Sequence, residues 1–385
     1  MFVKMKIYLD NAATTRVADE VIKAMLPYFS LYYGNPSSLH TKGHEAKEAL
    51  EKSRKILAKS INAKQEEIIF TSGGSESNNL AIKGIAYALQ HKGNEILVSS
   101  IEHPSVLEAA RSLVKKGFVV KELPVDGEGL IKIDELEKLI NPRTILVSVM
   151  HANNEIGTIQ PIKEIAKICK EKDIIFHTDA VQSFTKVGID VKKIKADLIS
   201  FSAHKIHGPK GIGALFIRQG TKIERQIDGG SQERKLRAGT ENVPGIVGFA
   251  KAVQLAKKSY IKKMEKLRDM LIDSVLASIE NCRLNGSRKE RLCNNANFSF
   301  IGVEGEAIGT YLNSYGIYTS TGSACSQLTL KPSHVLKAIG LKPEEWQGSL
   351  RMTLSRYTTK EEISYVLEIL PKVVKRLRRI SSFKF

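Results

Sequence analysis

The sequence lacks any long apolar run. No stretch approaches the ~18 consecutive apolar residues that a membrane-spanning helix needs. Residues 1–6 are too short and too interrupted by lysine for a signal peptide. The chain has 385 residues, of which 42% are hydrophobic, and this composition is typical of a globular protein of about two or three domains. We therefore expect a soluble cytoplasmic protein that has no contact with a membrane.

Cysteine is scarce, and several well-known motifs are absent. The four cysteines form no CxxC pair and no metal-ligand spacing, which excludes a disulfide scaffold and favours a reducing compartment. No Gly-Lys dipeptide occurs, so a P-loop is excluded, and no G-x-G-x-x-G motif follows a predicted strand. His204 and His207 have the spacing of a metal pair, but the Lys, Gly and Pro around them favour another use, and we expect no metal.

The charge is strongly basic, at 59 Lys and Arg against 41 Asp and Glu, a net +18. Such a balance can indicate acidic partners such as nucleic acid or an anionic protein. However, the basic residues are spread along the chain, and the only dense cluster lies in residues 372–379. We interpret the charge as a lysine-rich solvated surface and expect no direct binding of nucleic acid.

Short β-rich runs alternate with helical patterns, such as the helix predicted over 43–61, and this alternation predicts an α/β fold. It indicates a mostly parallel sheet with helices on both faces, which binds ligands at the carboxyl ends of its strands. One long helix is predicted from about 245 to 279, then a strand over 297–301 and a polar loop over 319–327. We predict a large domain of residues 15–255 and a smaller α+β domain of residues 1–14 and 256–385. The seven predicted strands are 68–70, 96–98, 118–120, 144–149, 174–176, 198–201 and 214–217.

Residues 71–79, Thr-Ser-Gly-Gly-Ser-Glu-Ser-Asn-Asn, follow a strand and open a helix. Small residues let the backbone approach a ligand, and a helix N-terminus offers free N–H groups and the positive end of a dipole. The segment therefore resembles a phosphate cradle to which Ser75 adds a hydroxyl. An N-capped helix after a tight turn explains the same residues equally well.

Two further strand ends carry charged residues. Asp179 follows an apolar strand, where a carboxylate is costly unless it meets a cation or several donors. Lys205 follows another strand, in a loop with Ser202 and His204. Pyridoxal 5'-phosphate (PLP) needs a lysine for its aldehyde, a carboxylate for its ring nitrogen and a phosphate cup, and this chain offers all three. Taken singly, a capping Asp and a basic surface loop remain open.

Ten segments together resemble the cysteine desulfurases of the NifS/IscS-like family, in the PLP-dependent class V aminotransferase group. They cover most of the chain in the family's order, and their combination is far more specific than any one of them. The resemblance implies the PLP-dependent transferase fold of type I, with a seven-stranded, mostly parallel sheet in the large domain. The segments are 8–15, 34–38, 71–79, 102–103, 153–157, 177–179, 202–205, 237–240, 322–325 and 349–351.

The resemblance also implies a role for each matching residue. Lys205 would hold PLP as a Schiff base and move the Cα proton of the substrate, and His103 would stack on the cofactor ring. Asp179 would pair with the ring nitrogen and Gln182 with the ring oxygen. The remaining roles are phosphate binding by Gly74, Ser75, Ser202 and His204, with Thr240 contributed by the second subunit of a homodimer, and binding of the substrate carboxylate by Asn154 and Arg351.

Cys325 distinguishes a desulfurase from an aminotransferase in this reading. Its polar loop is typical of an exposed, reactive thiol rather than a buried structural one. The implied reaction converts L-cysteine to L-alanine and leaves a persulfide on Cys325, which a sulfur-acceptor protein of iron–sulfur cluster assembly or tRNA thiolation then receives. A selenocysteine lyase or related PLP β-lyase is the alternative enzyme, and a basic RNA- or protein-binding module on an inactive enzyme fold is the alternative of another class.

Overall fold

The structure is a computed structural model that describes residues 5–321 and 332–381. Fourteen α-helices lie within these residues. They are α1 (Asp19–Met25), α2 (Pro27–Ser30), α3 (Thr41–Ser60), α4 (Gly74–Leu89), α5 (Pro104–Val114), α6 (Ile133–Leu139), α7 (Ile162–Glu171), α8 (Val191–Ile194), α9 (Val243–Gln254), α10 (Lys258–Ser278), α11 (Gly305–Ser314), α12 (His334–Ala338), α13 (Pro343–Trp346) and α14 (Lys360–Ile380). Short 3-10 turns lie at Gln65–Glu67, Ala203–Lys205 and Glu233–Lys235.

The strands form three sheets of two, three and seven strands within the described residues. They are β1 (Ile7–Tyr8), β2 (Ile68–Thr71), β3 (Glu95–Ser99), β4 (Val119–Leu123), β5 (Thr144–Ser148), β6 (Ile175–Asp179), β7 (Leu198–Ser202), β8 (Gly213–Ile217), β9 (Cys282–Leu284), β10 (Asn295–Phe300), β11 (Ile317–Tyr318) and β12 (Ser349–Thr353). Each of the seven predicted strands overlaps one strand of the large sheet.

The large sheet has the strand order β2-β8-β7-β6-β5-β3-β4. The pairs β7–β6, β6–β5, β5–β3 and β3–β4 are parallel, whereas β8 runs antiparallel to both of its neighbours. The prediction of a seven-stranded, mostly parallel sheet is therefore confirmed. Because β3, β5, β6 and β7 point the same way, the loops that follow them meet at one edge.

Helices cover both faces of this sheet, and the burial of its strands shows why. Every residue of β3, β5, β7 and β8 is buried, as expected for strands packed on both sides. Successive residues of one strand face opposite ways, and they do join different apolar clusters: Leu97 belongs to the cluster that includes α7 and α9 residues, while Ile96 and Val98 belong to the cluster of α4 and α5.

A separate apolar cluster contains the other two sheets. The order β12-β10-β9 forms one antiparallel sheet, and β1 pairs in parallel with β11. Residues of α10, α11 and α14 pack with these strands, and Ile7 and Leu9 near the start of the chain join them. The proposed division into residues 15–255 on one side and 1–14 with 256–385 on the other stays a prediction.

The predicted single helix from 245 to 279 is wrong, because two helices, α9 and α10, occupy this stretch. The chain leaves helical hydrogen bonding between Leu255 and Lys257. Ile246 and Phe249 of α9 lie in the cluster of the large sheet, whereas Leu267 and Leu271 of α10 lie in the cluster of the smaller sheets. Helix α9 ends where the chain passes from one apolar cluster to the other. No Pro or Gly marks this point in the sequence, so the break could not be predicted from helix-breaking residues.

A helix long and apolar enough to cross a membrane is absent from residues 5–321 and 332–381.

Candidate active site

A cavity of about 260 Å³ lies where β3, β5, β6 and β7 end. Its wall combines these strand ends with the start of α4 and with β12 from the second core. Ten of the twelve residues predicted for the site line it, namely Gly74, Ser75, His103, Asn154, Asp179, Gln182, Ser202, His204, Lys205 and Arg351. Residues that lie far apart in sequence are thus brought to one place.

The start of α4 forms one end of the cavity. Gly74 and Ser75 occupy the first turn, whose backbone N–H groups have no partner within the helix. A Cβ atom at Gly74 would lie 2.8 Å from Cγ2 of Val181 and 3.7 Å from Cβ of Ser202, so this position is too close to its neighbours for a larger residue. Together with Ser202 at the end of β7, this helix start forms an end of the cavity that is suited to an anion.

Asp179, the last residue of β6, is held by two donors. Nδ2 of Asn78 donates to Oδ2 at 2.7 Å, and the backbone N–H of Val181 donates to Oδ1 at 2.9 Å. Nδ2 of Asn78 also donates to Oγ of Ser105 at 2.8 Å. These contacts fix the direction of the Asp179 side chain at the cavity wall.

Lys205 lies in the 3-10 turn that follows β7. Its Nζ donates to the backbone oxygen of Ala12 and, at 2.7 Å, to that of Ala13. Burial, with smaller contributions from the cations of Arg351 and Lys186, lowers the pKa of Lys205 to about 7. A substantial fraction of this amine is therefore neutral near pH 7, the form that reacts with a carbonyl.

His103 caps the start of α5. Its Nδ1 accepts from the backbone N–H of Ser105 at 3.1 Å and lies 2.8 Å from Oγ of the same serine. Burial lowers the pKa of His103, and Lys205 and His334 lower it further, against the opposite effect of Asp179. The ring is thus neutral at neutral pH, and because Nδ1 accepts from the backbone, its proton belongs on Nε2.

Arg351 reaches the cavity from β12 and is almost completely buried. Nη2 donates to Oδ1 of Asp10 at 2.8 Å, and Nη1 donates to the backbone oxygen of Asn154 at 3.1 Å. Its Nε is buried without a hydrogen-bond partner. A buried guanidinium with unused donor capacity at a cavity wall suits the carboxylate of a small ligand.

His204 and His207, whose spacing allows a metal pair, do not act together. Nδ1 of His204 lies 3.2 Å from Oγ1 of Thr14, whereas Nδ1 of His207 lies 2.9 Å from the backbone oxygen of Arg16. Burial is the main cause that lowers the pKa of His204 to about 3, so this ring is neutral. In the described part of the chain, no group of three or more His, Cys, Asp or Glu side chains is placed to hold a metal ion.

Two predicted residues are not in this cavity. Thr240 is exposed and lines a separate cavity of about 250 Å³ beside the segment that carries it. Cys325, predicted to be the nucleophile, lies outside the described residues. Cys169, Cys282 and Cys293 are free thiols, and burial raises the pKa of each, to about 12, 12 and 11 respectively. None of these three thiols is suited to form a thiolate at neutral pH.

Several side chains at this site were not predicted from the sequence. Asn78 and Ser105 orient Asp179 and His103, and Asp10 pairs with Arg351. Asn78 had a readable signal, because it lies four residues after Gly74 and so faces the same way on α4. Asp10 and Ser105 had no comparable signal, since their partners are distant in sequence or depend on the exact turn before α5.

The cavity fits PLP. Its lysine amine, carboxylate and helix start lie around one space, and Oδ1 of Asn78 and Nε of Arg351 are buried polar atoms that lack a partner in the protein. Buried polar groups normally have partners, so these atoms are consistent with a polar ligand in the cavity. The cradle at Gly74, which a Cβ would fill, matches the close approach of a phosphate.

Comparisons with known proteins agree with this geometry. Residues 7–366 match the family described as Aminotransferase class-V. The chain is 53% identical over 384 residues to the cysteine desulfurase IscS of Dictyoglomus turgidum, which covers 99% of this chain and 98% of the relative.

Two solved structures are similar as well. A NifS-like protein superposes with a TM-score of 0.91 at 41% identity, covering 97% of this chain and 100% of that one. SspA in complex with cysteine has a TM-score of 0.83 at 38% identity, covering 92% of this chain and 100% of that one. The cofactor site, the fold and these similarities agree, and the chain belongs to the class-V aminotransferase family, among its PLP-dependent cysteine desulfurases.

Proposed function

We propose that this enzyme converts L-cysteine to L-alanine with PLP and transfers the sulfur atom to Cys325. The observation that carries the proposal is the convergence of Lys205, Asp179, His103 and Arg351 on one cavity. Desulfurase relatives of similar length and a similar structure solved with cysteine support the choice of substrate.

Different residues at the cavity are proposed to bind different parts of PLP. Lys205 would bind the aldehyde, Asp179 would face the ring nitrogen, Gln182 would face the ring oxygen, and His103 would stack on the ring. The phosphate would be held at the start of α4 by Gly74, Ser75, Ser202 and His204. When bound, PLP supplies an electron sink that weakens the bonds at the α and β carbons of the amino acid.

Arg351 and Asn154 bind the carboxylate of cysteine. Arg351 is already fixed by Asp10 on one side and by the backbone oxygen of Asn154 on the other, so it loses little side-chain entropy on binding substrate. Its charge also favours the neutral amine of Lys205, because Arg351 is one cause of that residue's lowered pKa. The neutral Nζ of Lys205 then takes the proton from the substrate Cα.

Cys325 supplies the nucleophile for the sulfur. Its thiolate attacks the substrate sulfur, an S–S bond forms, and the C–S bond breaks with its electron pair left on the substrate carbon. That carbon takes a proton to become the methyl group of alanine, and Cys325 keeps the sulfur as a persulfide. The raised pKa of each of the other three thiols supports the choice of Cys325, since a thiolate is the reactive form.

We propose further that two copies of the chain form a homodimer. Large apolar side chains are exposed in the short segment 22–39, namely Ile22, Leu26, Phe29, Leu31, Tyr32, Tyr33 and Leu39. Such a concentration is typical of an interface rather than of a solvated surface. A dimer also gives Thr240, which is exposed and absent from the cavity of its own chain, a role at the phosphate of the partner.

The persulfide of Cys325 passes to an acceptor protein of iron–sulfur cluster assembly or tRNA thiolation. Free thiols at Cys169, Cys282 and Cys293 support a reducing compartment, and we place the reaction in the cytoplasm.

The test is a turnover assay that follows alanine and, with a reductant present, sulfide. Lys205→Ala is expected to abolish both products, and Cys325→Ser to abolish sulfide release while the visible absorbance of bound PLP persists. Cys282→Ser, which changes a half-buried thiol with a raised pKa, is the matched control and keeps wild-type turnover. Sulfide release at the wild-type rate by Cys325→Ser would contradict the assignment. Release of selenide from selenocysteine by Cys325→Ala, with cysteine turnover lost, is the result expected of a selenocysteine lyase instead.

A further inference from the structure

A buried ion pair holds the first residue of segment 233–240, which carries Thr240. We propose that Arg54 and Glu233 are positioning residues, which fix the 233–240 segment so that Thr240 reaches the phosphate site of the partner subunit. The inference rests on the proposed function, in which the enzyme is a homodimer and Thr240 acts across its interface.

The pair is bidentate and almost completely buried, with side-chain exposures of 3% for Arg54 and 2% for Glu233. Nη1 and Nη2 of Arg54 donate to Oε2 and Oε1 of Glu233 at 2.8 and 2.9 Å. The backbone N–H of Phe70 adds a third bond to Oε2 at 2.7 Å. Glu233 is therefore tied both to α3, which carries Arg54, and to β2 in the central sheet.

Arg54 is held on its other sides as well. Nη1 also donates to the backbone oxygen of Ile68 at 2.8 Å, and the guanidinium lies 4.9 Å from the centre of the Phe70 ring. Nε bonds to Glu51 at 3.2 Å on the same helix. These contacts hold the Arg54 guanidinium in place at the edge of the sheet. The ion pair therefore fixes the position of Glu233 and of the segment that begins with it.

The backbone at this point is strained. Glu233, Arg234 and Lys235 have φ values of 40°, 58° and 66°, so three consecutive non-glycine residues lie in the left-handed region. L-residues other than glycine adopt this region rarely and singly, and such runs persist only where the surroundings enforce them. The three hydrogen bonds to the Glu233 carboxylate are the constraint that holds the first residue of this run.

Beyond the turn, the segment is tied at two more places before it reaches Thr240. Oε1 of Gln232 accepts from the backbone N–H of Gly239 at 3.2 Å. Nε of Arg237 donates at 3.0 Å to Oε1 of Glu76, on the helix whose start forms the phosphate cradle. These contacts fix the course of the segment up to Thr240, which is exposed, and the Arg54–Glu233 pair fixes where the segment begins.

Heterodimers test the inference. Two differently tagged chains are co-expressed, and one carries Lys205→Ala, so that only the site of the other chain turns over cysteine. Glu233→Gln is placed either on the Lys205→Ala chain, which lends its Thr240 to the working site, or on the working chain. Turnover and PLP affinity of the working site are then measured.

We expect Glu233→Gln on the Lys205→Ala chain to reduce PLP affinity about tenfold, and the same change on the working chain to alter it less than about twofold. Equal losses in both arrangements, or a larger loss when the change is on the working chain, would overturn the inference, because the proposed role of Glu233 acts only across the interface. Thr240→Ala in the same two arrangements distinguishes a failure of the proposed function from a failure of the present inference. If it too shows no preference for the lending chain, the trans role in the proposed function fails with it, whereas a trans effect of Thr240→Ala without one of Glu233→Gln overturns only the present inference.

Two further variants control for the loss of a buried charge. Glu95→Gln removes another fully buried carboxylate, paired with Lys121 at 2.8 Å at the opposite end of the sheet from the cavity, and is expected to have no trans effect. Arg54→Met combined with Glu233→Met leaves no unpaired charge, and such replacements often retain stability. We expect this double variant to fold and still to lose PLP affinity in trans. Wild-type affinity in the double variant would overturn the inference.

Discussion

At the scale of single residues, the charge state of Lys205 decides whether this amine can play its proposed role of binding the aldehyde of PLP. Burial and the neighbouring cations Arg351 and Lys186 lower its pKa to about 7, far below that of an exposed lysine. The amine is protonated and unreactive below this value and becomes neutral above it. One of these cations, Arg351, is also the residue proposed to bind the carboxylate of the substrate.

We therefore expect the rate at which the apoenzyme captures PLP to rise with pH, to be half-maximal near pH 7 and to be constant well above it, because only the neutral amine attacks the aldehyde. Stopped-flow measurement of the visible absorbance at a series of pH values checks this. A rate that keeps rising until about pH 10, as for an ordinary lysine, would be inconsistent with the lowered pKa.

Asp179 is expected to be as sensitive as Lys205. In Asp179→Asn, a neutral amide faces the ring nitrogen, and turnover should fall on the order of 100-fold through loss of a preorganised charge. Asp126→Asn is the control, because Asp126 accepts from two backbone N–H groups in a turn outside the cavity wall. Its turnover should equal that of the wild type, and a similar loss in both variants would point to a general structural defect.

The sequence predicted the residues with chemistry better than the residues that support them. Asp179 and Lys205 stand out because a charged residue at the end of an apolar strand needs a partner. The bond from Asn78 to Asp179 depends on how α4 packs across the sheet onto β6, and no local pattern encodes that distance. Likewise, the lowered pKa of Lys205 results from burial by residues distant in sequence.

At the scale of elements, the start of α4 decides how closely a phosphate can approach. Gly74→Ala would place a Cβ 2.8 Å from Val181, and overpacking of this kind costs about 1–3 kcal/mol. We expect the affinity for PLP to fall about tenfold while the protein stays folded. Titration of the apoenzyme with PLP measures this change.

Gly188→Ala is the matched control for this substitution, because a Cβ at Gly188 meets no atom within 4 Å. Unchanged PLP affinity in both variants would show that the α4 start is not in contact with the cofactor.

The elements themselves were predictable where local pattern and tertiary packing agree. The buried apolar runs of the large sheet, bounded by polar turns, predicted its seven strands, and amphipathic spacing predicted α3. The reversed direction of β8 was not encoded, since a strand reads alike in both directions. The break between α9 and α10 was missed because it results from a change of packing partner rather than from a helix-breaking residue.

At the scale of the whole molecule, the exposed apolar segment 22–39 is the proposed interface of the homodimer. Phe29→Glu places a charge in the middle of the proposed interface, where Phe29 is 62% exposed in the single chain. We expect this variant to be monomeric and to lose most of its turnover, because the site of each chain then lacks Thr240 of the partner. Light scattering combined with the turnover assay gives the result.

Val114→Glu serves as the control for that variant, since Val114 is also an exposed apolar residue, at the end of α5 and outside segment 22–39. It should remain dimeric and active. A monomeric Phe29→Glu protein with wild-type turnover would contradict the role of the second subunit.

From the sequence alone, the homodimer could be predicted only through the resemblance to a family. Periodicity and composition describe a chain that folds on its own core, and they do not say which exposed residues a second copy covers. The exposure of Phe29 and its neighbours, and the absence of Thr240 from its own cavity, become visible only when the chain is folded.

The central claim is that sulfur leaves cysteine on the thiol of Cys325. Mass spectrometry of the peptide that contains Cys325, after the PLP-loaded enzyme has been exposed to L-cysteine without reductant, tests it most directly. The account predicts one added sulfur atom on this peptide and none on the peptides of Cys169, Cys282 and Cys293. Formation of alanine with an unmodified Cys325 peptide, or with the extra sulfur on another cysteine, would contradict it.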